Sequence, residues 1–284
     1  MSKEVTDRNN GVASDRRQFL SRLALVSMSG LSTLGVDNPP VLAQQPIEHD
    51  MSQFPAHWHG SEQIAFLVYP GFTALDLVGP HYMLASLMGA TVHIVSKTLA
   101  PVASDQNLVL TPSATFETCP ADLDILCIPG GANGTLAAME DAATLAFLKH
   151  RGSRAKYITS VCTGSLLLAA AGLLKGYKAT SHWVARPLLA EFGAEPVDQR
   201  VVVDRNRITG AGVTAGLDFG LSLTARLRDD VYAQGVQLLA EYHPEPPFNA
   251  GTPQGAGERI THMMGSMFDP FSASVRAIAA KKQW

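Results

Sequence analysis

The sequence has no block of like charge, no stripe of basic residues, no internal repeat and no low-complexity tract. Charged residues make up only 17% of its 284 residues, and the formal net charge is −3. The sequence therefore lacks the clustered positive charge that is typical of proteins that bind nucleic acid or an anionic surface. The 46% of hydrophobic residues is enough for a substantial core, and the length fits one large domain or two small ones.

Cysteine is scarce, since the chain contains only Cys119, Cys127 and Cys162. An odd number leaves at least one thiol free unless two chains cross-link. Cys127 lies in the buried-strand pattern "DILCIPGG", which predicts a small core residue, whereas Cys119 in "FETCPADLD" is predicted in a loop. The spacing leaves open whether Cys119 and Cys127 form a disulfide.

No apolar run reaches the roughly 20 residues that a membrane-spanning helix needs. The stretch "SDRRQFLSRLALVSMSGLSTLGV" begins with Arg16 and Arg17, and its apolar part is interrupted by Gly and Ser. A small-residue cleavage pattern follows at Ala43. This order resembles a twin-arginine export leader over 1–43, although Asp15 stands where Ser or Thr is more usual. We expect export by the twin-arginine machinery, a periplasmic or otherwise exported mature protein, and no stable membrane anchor after cleavage. The alternative is a tail with an accidental arginine pair.

The polar segment 44–62 is predicted to be a linker. It contains His57 and His59, and an H-x-H pair can bind a metal. A pair in a loop without a third ligand favours solvated side chains instead, so no metal site is predicted. The domain itself is predicted over 63–255, and 256–284 is predicted to be a C-terminal helical extension of the same domain.

From residue 63 onward, short apolar strands alternate with amphipathic helices. This alternation predicts an α/β fold with a mainly parallel sheet that is covered by helices on both faces. Functional sites in such sheets lie at the carboxyl ends of the strands. Three segments are predicted to meet there: 69–76, 129–133 and 161–164.

The stretch "YITSVCTGSLLLAAAGLLKG" places Cys162 between a predicted strand and a predicted helix. Unpaired N–H groups at the start of a helix favour an anion, so this position predicts a lowered thiol pKa. A thiol with a pKa of about 8.5 is ~3% ionised at pH 7, and one with a pKa of about 6 is ~90% ionised. The pattern is typical of a nucleophile elbow with Cys in place of Ser and Gly164 allowing close packing. The alternative is a buried structural cysteine at a tight turn.

Two further segments each end a different strand of the same predicted sheet. Asp76 in "PGFTALDLVGP" either faces the thiol as an acid or forms a T-x-x-D capping box with Thr73. Gly131 in "IPGGANGT" either offers an N–H donor to a developing anion or belongs to a simple turn. The convergence of the aspartate, the glycine turn and the cysteine at one edge of the sheet indicates a functional site.

Five motifs in a fixed order resemble the ThiJ/PfpI superfamily, a class I glutamine amidotransferase-like group, over about 61–255. They are "YPGFTALDLVGP", "DILCIPGG", "SVCTGSLLLAAAGLLKGYKATSHW", "ITGAGVTAGLD" and "LLAEYHPEPPFNAG". Within the superfamily the chain is most similar to the isonitrile hydratase branch. That choice depends on Thr163, because members that resemble peptidases or glyoxalases have His directly after the cysteine. Those members also tend to have Glu at the position of Asp76.

The resemblance implies a flavodoxin-like three-layer α/β/α sandwich, usually a homodimer, that uses no metal or organic cofactor. By position, Cys162 is the nucleophile and Asp76 is its acidic partner. Thr163 supplies a backbone N–H and a hydroxyl group beside the thiolate, and Gly131 lies in the anion-binding turn. His182 in "TSHW" falls near the site, where a supporting hydrogen-bonded role is favoured over catalysis.

The activity that the resemblance implies is cysteine-dependent hydration of small-molecule isonitriles to N-substituted formamides, or closely related thiol-based hydro-lyase chemistry. Two other classes are kept as alternatives. One is a non-catalytic small-molecule-binding domain, and the other is a thiol stress-response protein in which Cys162 is oxidised reversibly. Nucleic acid is not an expected partner, because the residues after "PPFNAG" contain no convincing helix-turn-helix pattern.

Overall fold

The structure of the protein is a computed structural model in which residues 54–281 are described. The predicted leader over 1–43 and the first part of the predicted linker lie outside the described residues. Strands and helices alternate through the rest of the chain, as the apolar periodicity predicts.

The strands are β1 (Gln63–Leu67), β2 (Thr91–Ser96), β3 (Val102–Ala103), β4 (Val109–Leu110), β5 (Ala114–Thr115), β6 (Ile125–Ile128), β7 (Tyr157–Val161), β8 (Lys178–Ala179), β9 (Glu195–Pro196), β10 (Val201–Asp204) and β11 (Arg207–Gly210). The α-helices are α1 (Ala74–Ala85), α2 (Ala132–Glu140), α3 (Ala142–Gly152), α4 (Gly164–Ala170), α5 (Ala215–Leu227), α6 (Asp230–Leu239), α7 (Pro253–Ser266) and α8 (Asp269–Ala280). Short 3₁₀ helices span Ala56–Trp58 and Arg186–Phe192.

Within the described residues, the central sheet has seven strands in the order β10-β11-β7-β6-β1-β2-β5. In this sheet β10 and β11 pair in the antiparallel sense, and the other neighbouring strands are parallel. β3 with β4 and β8 with β9 form two small separate sheets. The predicted mainly parallel sheet is therefore confirmed.

The three central strands are buried on both faces, because helices cover both sides of the sheet. Phe66 on β1 pairs with Cys127 on β6, and Cys127 pairs with Thr159 on β7. All three side chains are fully buried, which confirms Cys127 as a core residue. Cys119 is also buried, and both cysteines are free thiols, so no disulfide joins them.

The helices form two layers. α1 packs on α5 and α5 packs on α6, while α2 contacts α3, α4 and α8. This arrangement is the predicted three-layer α/β/α sandwich with a flavodoxin-like sheet. None of the helices between residues 54 and 281 has both the length and the apolarity to cross a membrane.

The described end of the predicted linker corrects the sequence interpretation, because residues 54–62 pack against the domain. The indole N–H of Trp58 donates to Asp229 at 2.8 Å, and its ring lies edge-on to Tyr232 with centroids 5.0 Å apart. His57 also contacts Asp229, at 2.6 Å. The segment stays in place because one aromatic ring is removed from water and its polar atom keeps a partner. Polarity alone could not predict this packing.

We expect Trp58→Ala to lower the free energy of unfolding by about 2 kcal/mol, because the half-buried ring loses its packing and its hydrogen bond. For a domain of this size the thermal midpoint should fall by roughly 4–8 °C. Phe54→Ala is the matched control, since Phe54 stacks on Trp58 but is 43% exposed. An unchanged midpoint in Trp58→Ala would mean that the segment is a loose linker after all.

At the other end, the predicted boundary at residue 255 falls inside α7, which is interrupted at Gly257. α8 buries Phe271, Val275 and Ile278. It packs against α2 and against the 3₁₀ helix Arg186–Phe192. The described residues after 255 are therefore largely helical, and α8 is continuous with the domain core.

Candidate active site

Cys162 lies at a strained turn between β7 and α4. Its φ angle is +57°, a conformation that non-glycine residues seldom adopt and that is typical of functional sites. Its N–H donates to the carbonyl of Gly210 at 3.1 Å. Its carbonyl accepts from the hydroxyl groups of Ser165 at 3.1 Å and Ser181 at 2.9 Å. These three hydrogen bonds hold the strained backbone in place.

Gly164 is required for this turn to approach β6. A Cβ atom at Gly164 would lie 2.3 Å from the carbonyl oxygen of Ile128 and 2.8 Å from that of Pro129. Both distances are shorter than any van der Waals contact, so only glycine fits. The close packing that the sequence predicts for an elbow is present.

Asp76 lies in the first turn of α1 and is completely buried. Its Oδ2 atom accepts from the N–H of Gly130 at 2.9 Å, and its side chain lies close enough to the Cys162 thiol for each group to shift the pKa of the other. The Oδ1 atom is buried and has no hydrogen-bond partner among the described residues. The carboxyl and thiol groups therefore face one another, as the functional interpretation of Asp76 predicts.

The capping-box interpretation of Asp76 is wrong. The Thr73 hydroxyl does not cap α1 and instead donates to Asp105 at 2.5 Å. The Thr73 N–H, which a capping box would direct to Asp76, donates to the carbonyl of Gly130. Local helix capping therefore does not explain the aspartate.

Burial controls the protonation of this pair. It raises the pKa of Asp76 to about 7, and the N–H of Gly130 and the contact with Cys162 offset only part of that increase. Burial, followed by the negative charge of Asp76, raises the pKa of Cys162 well above its usual value. The expected lowering of the thiol pKa is therefore wrong, because the N–H of Thr163 offsets less than burial and like charge contribute. Near neutral pH the proton resides on sulfur, and Asp76 is ready to accept it.

The glycine turn after β6 is packed tightly against the pair. A Cβ atom at Gly130 would lie 2.5 Å from Thr163 Oγ1 and 2.8 Å from Asp76 Oδ2. The N–H of Gly131 donates to Thr163 Oγ1 at 2.9 Å. Both N–H groups are thus already bonded to side chains, and the anion-binding role of Gly131 stays a prediction. Gly131 itself is required, since its φ is +155° and a Cβ there would lie 2.2 Å from the carbonyl oxygen of Gly71.

His182 lies beside the site rather than in it. It follows Ser181, which holds the Cys162 carbonyl, but its ring lines two neighbouring cavities of about 360 and 270 Å³. Burial lowers the pKa of His182, so the ring is neutral at pH 7. Among the described residues Cys162 does not line either cavity, and no group of three potential metal ligands is present.

A sequence model of the DJ-1/PfpI family matches residues 62–226 of this chain. The chain belongs to the DJ-1/PfpI family. The predicted resemblance to the ThiJ/PfpI superfamily is thereby confirmed. The elbow, the acid and the glycine turn all lie within the matched residues.

Family members of different activity are similar to this chain. An isonitrile hydratase of Pseudomonas putida is 52% identical over 198 residues, which cover 70% of this chain and 86% of the relative. A deglycase of Thermococcus kodakarensis is 29% identical over 52% of this chain and 88% of its own length. A crystal structure of a ThiJ/PfpI family protein from Pseudomonas syringae has a TM-score of 0.78 and 59% identity, and covers 84% of this chain and 98% of its own.

Several residues at this DJ-1/PfpI site are not evident from the sequence. Ser165 and Ser181 hold the Cys162 carbonyl, and Tyr69 and Thr135 form hydrogen bonds next to Thr163. Tyr69 and Ser181 lie in the quoted motifs, but nothing in the pattern distinguishes a bonded hydroxyl from a merely buried one. Their proximity to Cys162 arises only from folding.

Proposed function

We propose that this protein hydrates isonitriles to N-substituted formamides, with Cys162 as the nucleophile. The observation that carries the proposal is the buried thiol–carboxyl pair at the end of β7 and the start of α1. The 52% identity to the isonitrile hydratase of Pseudomonas putida supports the choice of substrate. The pair provides a nucleophile and a proton carrier side by side, which this addition requires.

In the first half of the reaction, the ionised Asp76 takes the proton of the Cys162 thiol. The sulfur attacks the terminal carbon of R–N≡C and forms the S–C bond. Asp76 returns the proton to that same carbon, which gives the thioimidate R–N=CH–S–Cys162. The raised pKa of Asp76, about 7, matches both roles near neutral pH because the carboxyl group can accept and release a proton.

In the second half, a water molecule adds to the thioimidate carbon. Asp76 takes one proton from this water and passes it to the nitrogen. The tetrahedral adduct then loses its hydroxyl proton to Asp76 as the C–S bond breaks. The product R–NH–CHO leaves, and the proton returns to the sulfur of Cys162, so the pair is restored. Thr163 stabilises charge on the sulfur through its N–H and hydroxyl groups.

The thiol stress-response alternative is less consistent with the geometry. Redox-sensing cysteines are exposed and have lowered pKa values. Cys162 is only 6% exposed and its pKa is raised. A stable oxidised form of Cys162 after peroxide titration, together with no turnover of any isonitrile, would favour the alternative.

The test is to incubate protein lacking residues 1–43 with cyclohexyl isocyanide and with p-nitrophenyl isocyanide. We expect release of the corresponding formamide over many turnovers. Cys119→Ala is the matched thiol control and should retain activity, because Cys119 lies against Arg151 of α3. If no formamide is released from either compound, the proposed substrate class is wrong.

We also propose that the mature protein is exported by the twin-arginine machinery and functions in the periplasm as a homodimer. The paired arginines and the cleavage pattern support export, and the resemblance to the family supports the dimer. Cell fractionation and light scattering on the purified protein measure these two properties directly. A cytoplasmic, uncleaved protein would refute the first, and a monomeric mass would refute the second.

A further inference from the structure

Three buried hydroxyl groups form a chain that leads away from Cys162, which we call the hydroxyl chain. Thr163 Oγ1 lies 2.9 Å from Thr135 Oγ1, and Thr135 Oγ1 lies 3.2 Å from Tyr69 Oη. Tyr69 Oη donates to the carbonyl of Pro129 at 2.7 Å. All three side chains are at most 5% exposed. The Thr163 side chain is also close enough to the Cys162 thiol to lower its pKa.

The direction of each hydrogen bond follows from the number of protons available. A carbonyl oxygen only accepts, so Tyr69 uses its single proton on Pro129. Burial raises the pKa of Tyr69 well above its usual range, which keeps that proton in place. Tyr69 can therefore only accept from Thr135. The N–H of Gly131 donates to Thr163, which leaves Thr163 one proton to donate and one lone pair to accept with.

Two arrangements satisfy these constraints and keep a hydrogen bond between Thr163 and Thr135, the shorter of the two hydroxyl–hydroxyl contacts at 2.9 Å. In the first, Thr163 donates to Thr135 and Thr135 donates to Tyr69, so no hydroxyl proton points to the sulfur. In the second, Thr135 donates to Thr163, and Thr163 donates to the sulfur of Cys162. The second arrangement loses the bond between Thr135 and Tyr69 and gains a charge-assisted bond when the sulfur is ionised.

We propose that the direction of hydrogen-bond donation along the hydroxyl chain reverses at Thr163 when Cys162 loses its proton. Thr135 and Tyr69 are the positioning residues whose hydrogen bonds determine which direction is favoured. With a neutral thiol the chain runs from Thr163 to Tyr69. With an ionised sulfur Thr163 turns its proton to the sulfur and accepts from Thr135. The chain thereby stabilises the neutral thiol between turnovers and the anion during attack. This role rests on the proposed function of Cys162 as a nucleophile.

The reversal predicts effects of opposite sign on thiol reactivity. Tyr69→Phe and Thr135→Val each remove two bonds from the neutral arrangement but only one from the ionised arrangement. Each should therefore lower the thiol pKa by about half to one unit and accelerate alkylation at pH 8 about three- to tenfold. Thr163→Val removes the bond to the ionised sulfur and should slow alkylation by a factor of at least about ten.

The measurement is the rate at which iodoacetamide alkylates Cys162, followed by intact mass between pH 7 and 10. Thr135→Ser keeps the hydroxyl and loses only a methyl group, so it should react at the wild-type rate. In the double variant Tyr69→Phe/Thr163→Val the hydroxyl chain no longer reaches the sulfur of Cys162, because valine has no hydroxyl group. The effect of Tyr69→Phe on the alkylation rate should therefore vanish. Circular dichroism confirms that each variant is folded.

Loosened packing would also expose the thiol and accelerate its reaction, but it would do so in Thr135→Ser and in the double variant as well. Acceleration in either of those variants, or an unchanged or slower rate in Tyr69→Phe, would overturn the proposal. Alkylation requires no isonitrile. Failure of the reversal would therefore leave the hydratase proposal standing, and failure of formamide release would leave the alkylation pattern unchanged.

Discussion

Asp76→Asn is expected to lower kcat/KM for isonitrile hydration by about 10²- to 10⁴-fold, the usual contribution of a positioned proton carrier. Asn has nearly the same shape and can still accept from the N–H of Gly130, so the fold should be preserved. It cannot accept the thiol proton or return it to carbon. The measurement is the initial rate of formamide release at several substrate concentrations.

The pH profile gives this prediction a second, independent signature. The reactive pair holds one proton, so protonation of Asp76 below its pKa of about 7 removes the base. Wild-type kcat/KM should therefore rise about tenfold per pH unit below 7 and level off above it. This rising limb should be missing in Asp76→Asn.

Asp105→Asn is the matched control for the pH profile. The charge of Asp105 is one of the causes that raise the pKa of Asp76. Its removal should therefore move the rising limb to lower pH and leave the plateau within a few-fold of the wild type. A wild-type profile that is flat from pH 5 to 8 would contradict the role of Asp76.

The same Asp76→Asn substitution is expected to increase stability at pH 8, although it removes activity. The pKa of Asp76 is about 7 in the folded protein and near its ordinary value of 3.8 in the unfolded chain. The folded protein therefore holds the Asp76 proton more tightly than the unfolded chain does, and this proton stabilises the fold. The stabilisation is fully present below pH 3.8. It is lost as the pH rises through 7, where ionisation of a buried group becomes costly.

The difference of about three pH units corresponds to roughly 4 kcal/mol, and we expect at least about 2 kcal/mol in practice. Asn cannot ionise, so the variant should match the wild type at pH 4 and exceed it increasingly up to pH 8. The thermal midpoint at pH 8 should rise by at least about 4 °C. Urea unfolding of both proteins across this range measures the difference.

Asp122→Asn is the control for this experiment, because Asp122 lies in an exposed ion pair with Arg154. Its effect on stability should not grow between pH 4 and 8 in the way that the effect of Asp76→Asn does. If wild type and Asp76→Asn differ by the same amount at pH 4 and pH 8, then Asp76 is ionised throughout and its pKa is not raised.

The sequence predicts the central part of this fold well, because a parallel sheet leaves a strong pattern. Its strands are short apolar runs, and they end in recognisable turns. The sequence also correctly predicts that Cys162 and Asp76 converge, since the carboxyl ends of the parallel strands β7 and β1 lie at the same edge of the sheet, on either side of β6.

The remaining features depend on tertiary contacts that no local pattern encodes. The apolar run after Cys162 predicts a helix to Gly176, but α4 ends at Ala170 and the chain turns at Gly172, where φ is +75°. The raised thiol pKa of Cys162 depends on how deeply the turn is buried, and the sequence shows only that a helix follows. The docking of Trp58 depends on Asp229, which lies 171 residues away.

The most direct test of the account is to determine whether the isonitrile carbon becomes bonded to Cys162. Protein is mixed with cyclohexyl isocyanide, quenched within the first turnovers and analysed by intact mass and peptide mapping. We predict an adduct of one isonitrile mass on the peptide that contains Cys162, and neither adduct nor formamide in Cys162→Ala. Formamide release by Cys162→Ala at the wild-type rate would contradict the central claim that this thiol performs the chemistry.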